Sequence, residues 1–140
     1  VGHLGLSESV LTTQDIAPAN LSSNTNGSVI DMSGWSGIRY EFNLGVFVAG
    51  VTFDARVMSS ANANFSGPTN ITNAALTQVA NTSNANLAML DVYRPTDRYV
   101  KVCTVPGAGV FCSVTATRYR RTGLLPPTQT AQQVVEVVSN

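Results

Sequence analysis

Apolar and polar positions alternate with a period of two at several places along the chain. Ile38-Arg39-Tyr40-Glu41-Phe42-Asn43-Leu44 sets Ile38, Tyr40, Phe42 and Leu44 against Arg39, Glu41 and Asn43. Val51 to Met58 repeats the pattern, with Val51, Phe53, Ala55 and Val57 on the apolar side. Strict alternation is the signature of a half-buried strand. Gly45 and Gly50 punctuate a turn around Val46-Phe47-Val48, so these two strands are expected to pair as a hairpin. Glu41 and Arg56 would then be cross-strand partners on the wet face. Leu87 to Tyr93 predicts another strand, ended at Pro95, which cannot donate to a ladder.

The densest β-forming stretch runs from Arg98 to Tyr119. Two segments rich in Val, Thr, Tyr, Phe and Cys flank Pro106-Gly107-Ala108-Gly109, which suits a tight reversal. A hairpin over 98–105 and 110–119 is expected, pairing Val105 with Val110, Cys103 with Cys112 and Lys101 with Val114. One face would carry Tyr99, Cys103, Val105, Val110, Cys112 and Val114. Val100, Val102, Phe111, Thr115 and Tyr119 would share the other. Both faces are largely apolar, which predicts a central position covered on both sides. Arg94, Asp97 and Arg98 are expected to form a charged cluster at its entry, locking the turn or bridging to another subunit.

Elsewhere the patterning is weaker. Val29 to Met32 is a short strand candidate, and Ser33 to Gly37 is a turn carrying Trp35. Trp35 anchors a core edge or, alternatively, stacks on a sugar. From Ser59 to Ala88 the chain is rich in Asn, Ser, Ala and Thr. It reads as a long loop region with one or two short strands and a helical turn near Ala74 to Leu76. The chain therefore divides into an irregular N-terminal arm over 1–28, a β-domain over 29–125 and a C-terminal arm over 126–140. The first arm has an apolar patch at Val10-Leu11 and is expected to become ordered against neighbouring chains. The second follows Pro126-Pro127 and carries Val134, Val135, Val137 and Val138 around Glu136. Such a tail adds a strand to a neighbour's sheet or lies in a partner's groove; a disordered end is the other reading. The fold class is all-β: a single β-sandwich or β-barrel-like domain with extended arms.

Composition narrows the function classes. Charged residues make up 11% of the chain, against roughly 25% in soluble proteins generally, and the formal net charge is zero. Binding to nucleic acid through broad phosphate neutralisation needs a basic surplus, so no such partner is expected. A surface so poor in charge suits a protein largely occupied by partners. No apolar run approaches the roughly 20 residues of a membrane-spanning helix, so no membrane is expected either. Catalytic chemistry has few candidates. His3 is the only histidine, the carboxylates are scattered, and no glycine-rich loop leads into a helix. Neither a catalytic role nor a metal or other cofactor is expected. Cys103 and Cys112 would face each other in the hairpin. Packed free thiols are favoured over a disulfide, because the short loop between them offers little entropic gain.

Several segments together resemble the decoration, or cement, proteins of tailed-bacteriophage capsids. They are Asp31-Met32-Ser33-Gly34-Trp35-Ser36-Gly37-Ile38 with Phe42-Asn43-Leu44-Gly45, then Leu90 through Val100, and Pro127-Thr128-Gln129. The resemblance implies a β-sandwich or barrel that binds the outside of an assembled head, often as a homotrimer, with the major capsid protein as partner and without a cofactor. Interface candidates are Val10, Leu11, Arg94, Asp97, Arg98, Arg120, Arg121, Val134, Val135, Val137 and Val138. A carbohydrate-binding sandwich using Trp35, or another head-tail component, is the alternative.

Overall fold

The structure, a computed structural model, describes residues 9–46, 50–80, 86–107, 109–120 and 133–138. Its elements are ten β-strands: β1 (Val10–Leu21), β2 (Thr25–Asn26), β3 (Ile30–Asp31), β4 (Gly37–Leu44), β5 (Phe53–Ser60), β6 (Thr69–Ala75), β7 (Asn86–Tyr93), β8 (Tyr99–Pro106), β9 (Val110–Tyr119) and β10 (Gln133–Val138). They form two packed sheets, a β-sandwich. The first has the order β1-β9-β4-β7-β10; the second has β2-β8-β5-β6, with β3 also pairing with β8.

The alternation read in the sequence is what holds the sheets together. From the first sheet, Ile38, Tyr40, Phe42, Leu90, Val92, Val110 and Val114 are completely buried. Phe53, Val57, Val100 and Val102 from the second meet them and are equally inaccessible. At the centre, the rings of Phe42 and Phe53 pack edge to face, with centroids 6.1 Å apart. This geometry sets the positive rim of one ring against the negative face of the other.

Neither expected hairpin forms. β4 and β5 lie in different sheets, and so do β8 and β9. Each Gly-punctuated turn is an arch that carries the chain across the core. Gly107 makes the second arch close: its N–H donates to the Thr52 carbonyl at 2.6 Å, and a Cβ there would lie 3.0 Å from the Thr52 backbone. Gly109 turns the chain into β9 with a φ of 73°, in the left-handed region that favours glycine.

The arches regroup the faces. Val100 and Val102 share the core with Val110, Cys112 and Val114, whereas Val105 and Phe111 are exposed. Cys103 pairs with Asn26 and Arg56 in the second sheet; Cys112 pairs with Ala19 and Leu44 in the first. The two cysteines are therefore not cross-strand neighbours, and both are free. Glu41 likewise does not meet Arg56. It lies 3.1 Å from Arg39 on its own strand.

The chain ends also differ from the expected arms. Residues 10–21 form β1, which runs antiparallel to β9 along one edge of the first sheet. Its register shifts on either side of Ile16, and only Ile16 and Leu21 are buried along it. At the opposite edge, β10 runs parallel to β7, pairing Gln133 with Ala88 through Val138 with Tyr93. The C-terminal segment thus adds a strand to its own sheet. In the loop-rich middle segment, β6 is the one described strand; Ala74 and Ala75 belong to it rather than to a helical turn.

Candidate functional site

The two ends of the sandwich differ sharply in chemistry. At one end, β4 and β8 begin and β7 and β9 finish. The turn Ser33–Ser36 plugs this end: Ser36 N–H donates to the Tyr119 carbonyl at 2.9 Å, and its own carbonyl accepts from Arg94 N–H at 2.8 Å. Trp35 is half-buried against the core. The guanidiniums of Arg118 and Arg120 lie over its ring, 5.4 and 5.0 Å from the centroid. Both distances are within the range of cation–π attraction. Arg118 also donates to the Asp31 carbonyl at 3.0 Å, and Arg120 to the Gly34 carbonyl at 3.3 Å.

The other charges at this end are arranged differently from the expected cluster. Arg98 makes a two-pronged contact with Asp31, from Nε at 2.9 Å and Nη2 at 2.8 Å. That contact, with a further hydrogen bond from Ser33 N–H, holds the Asp31 carboxyl down at about 2. Asp97 accepts from the Ser59 hydroxyl at 2.8 Å rather than from either arginine. Arg94 lies over the Tyr93 ring, 5.3 Å from its centroid. Pairing between nearby residues in sequence was the natural expectation for 94–98. The packing of β3 onto β8 instead delivers Asp31 to Arg98 from 67 residues away.

At the opposite end the described stretches 18–21, 43–46, 50–53, 76–80, 105–107 and 109–112 contain no charged residue; the nearest charge, Asp54, lies across from Val105 on the second sheet and accepts from Gln78 Nε2 at 2.8 Å. There the outer face of the first sheet holds an open groove of about 550 Å³, lined by Pro18, Ala19, Leu44, Leu87, Phe111 and Cys112 among others. Phe111 stands beside it 58% exposed, and Val46 is 56% exposed. Gly45 joins them: its N–H donates to the Phe111 carbonyl at 2.8 Å. Val105, on the second sheet, is 47% exposed at the same end. Exposed large side chains such as Phe111 and Val46, gathered beside one groove, mark an interaction surface more often than chance scatter does.

The other interface candidates fall along the sheet edges. Leu11 is exposed and Val10 half-buried on β1, opposite Arg118 and Tyr119. On β10, Val135 and Val137 pack against the chain's own core. Arg121 and the side chains of Val134 and Val138 lie outside the described residues. Sequence reading missed Val46 and Phe111, because both were assigned to turn or strand interior. Among the described residues, no three His, Cys, Asp or Glu side chains gather where a metal ion could sit.

No family model matches the chain, and comparison with curated proteins finds no match.

Proposed function

We propose that this chain is a structural protein of a tailed-bacteriophage virion. It binds the outside of the assembled head through the uncharged end of the sandwich and stabilises contacts between major capsid subunits. The observation that carries this reading is the exposure of Phe111 and Val46 beside a mostly apolar groove whose lining carries no charge. The low overall charge and the segments that resemble cement proteins support it.

The mechanism differs from stapling by loose arms. β1 and β10 are built into their own sheet, so attachment rests on the surface they border. Burying a Phe or Val side chain is worth about 1.5–3 kcal/mol, much of which is offset by the cost of association. One copy therefore holds weakly. Three copies joined as a homotrimer raise the effective concentration of each contact and hold firmly.

The test is co-sedimentation of the protein with heads assembled in its absence, alongside light scattering of the free protein. The reading expects saturable decoration, a trimer in solution and heads that rupture at higher temperature once decorated. Heads that take up no protein at saturating concentration would overturn it.

A further inference from the structure

Two guanidiniums, of Arg118 and Arg120, lie over the Trp35 ring, Arg94 flanks the same turn, and none of the three makes an ion pair among the described residues. Among the described residues the ion pairs are Arg39–Glu41 and Arg98–Asp31. The described acids of this end are already engaged: Asp31 by Arg98, Asp97 by Ser59 and Asp91 by the Tyr119 hydroxyl. Among the described residues Arg94, Arg118 and Arg120 make no ion pair, although Arg118 lies near enough to Asp31 to help hold its carboxyl down. Arg118 and Arg120 each donate once to a backbone carbonyl, which uses only part of the five N–H donors a guanidinium carries. Stacking on the Trp35 ring fixes both in place before any ligand arrives. Arg94 is tied to the same turn by its backbone N–H, which donates to the Ser36 carbonyl, while its guanidinium lies over the Tyr93 ring; its φ of 54° is in a region uncommon for a residue with a side chain. Conformations of this kind concentrate at functional positions.

We propose that this end is a binding site for the carboxylates of an acidic protein segment, distinct from the uncharged surface and independent of what that surface seats on. Planar, pre-oriented guanidiniums match carboxylates as two-pronged partners. Nucleic acid is the weaker fit. It is held by cations spread along the phosphate backbone, whereas here the cations form one compact patch on a chain of zero net charge.

Trp35 is the only tryptophan, so its fluorescence reports on this site alone. The full chain is titrated at low salt with a hexaglutamate peptide, with hexalysine and a single-stranded oligodeoxynucleotide as the comparison probes. A saturable change in Trp35 emission with hexaglutamate is expected, and none with hexalysine. Binding should weaken about tenfold in Arg94→Ala and again in Arg120→Ala, since each removes a charge-assisted contact. Arg120→Lys, which keeps the charge but loses the fork, should recover only part of the loss and guards against an unfolded variant. Absence of a saturable change with hexaglutamate would overturn the proposal. So would equal binding by the folded variants, or tighter binding of the oligonucleotide than of hexaglutamate at the same salt.

Discussion

The Tyr119 hydroxyl donates to Asp91 at 2.5 Å by crossing the bare Cα of Gly37. Tyr119 is on β9 and Asp91 on β7, with β4 between them. A Cβ on Gly37 would lie 2.5 Å from Cζ of the Tyr119 ring, closer than atoms tolerate. Gly37→Ala should therefore destabilise by roughly 1–3 kcal/mol, the usual cost of overpacking. In a Tyr119→Ala background the same change should cost much less, because the ring is gone. Chemical denaturation of the single and double variants measures both.

The Asp31–Arg98 contact gives the protein a defined acid sensitivity. The folded carboxyl is held at about 2, below its ordinary value near 4. Its stabilisation is therefore fully present above about pH 4 and is lost as pH falls towards 2. Both side chains are exposed, so the contribution is small. Asp31→Asn should lower the melting temperature at pH 7, and its deficit should close between about pH 4 and 2. Melting curves across that range check the sign.

Asp15 should behave in the opposite way. Its Oδ1 accepts from Ser28 N–H at 2.9 Å, tying β1 to the loop ahead of β3, but its Oδ2 is buried without a partner. Burial raises this carboxyl above its ordinary value. The charged form is then disfavoured in the folded state, and stability falls as pH rises through the raised value. Asp15→Asn keeps the bond to Ser28 and removes the charge. It should raise the melting temperature at pH 7, with the advantage disappearing below about pH 4.

The two thiols should differ in reactivity. Burial pushes Cys112 up to about 12, and Cys103, half-buried on the other sheet, is raised less. A thiolate-seeking reagent at pH 8 should label Cys103 first and reach Cys112 only on unfolding. Unfolded, unreduced protein should titrate two sulfhydryls.

Strand positions were legible in the sequence; strand partners were not. β9 falls at 110–119 as expected, and β4, β5, β7 and β8 within two residues of expectation at each end. Local alternation reports which side of a strand is dry, and that survives whichever sheet the strand joins. A Gly-rich turn between two such strands is compatible with a hairpin or with an arch across the core. The separating signal was present. Taken strand by strand, the more apolar sides of β8 and β9 are Val100-Val102-Thr104-Pro106 and Val110-Cys112-Val114-Ala116, whereas a hairpin register mixes them. β1 had no such signal: its two buried residues, Ile16 and Leu21, are five apart because register shifts interrupt the alternation. The four valines of β10 marked a strand, but nothing local could specify β7 as its partner. The Trp35 site was half visible: Arg94 and Arg120 were in view and Arg118 was not, and their placement beside the turn depends on where β3, β7 and β9 finish.

The central claim, that the uncharged end seats on the capsid, is tested most directly by amide hydrogen exchange of the protein free and bound to heads. Slowed exchange confined to residues around 43–46 and 109–112, with exchange around 33–36 and 118–120 unchanged, is the predicted result. Protection at the Trp35 end, with 43–46 and 109–112 exchanging as in the free protein, would contradict the account.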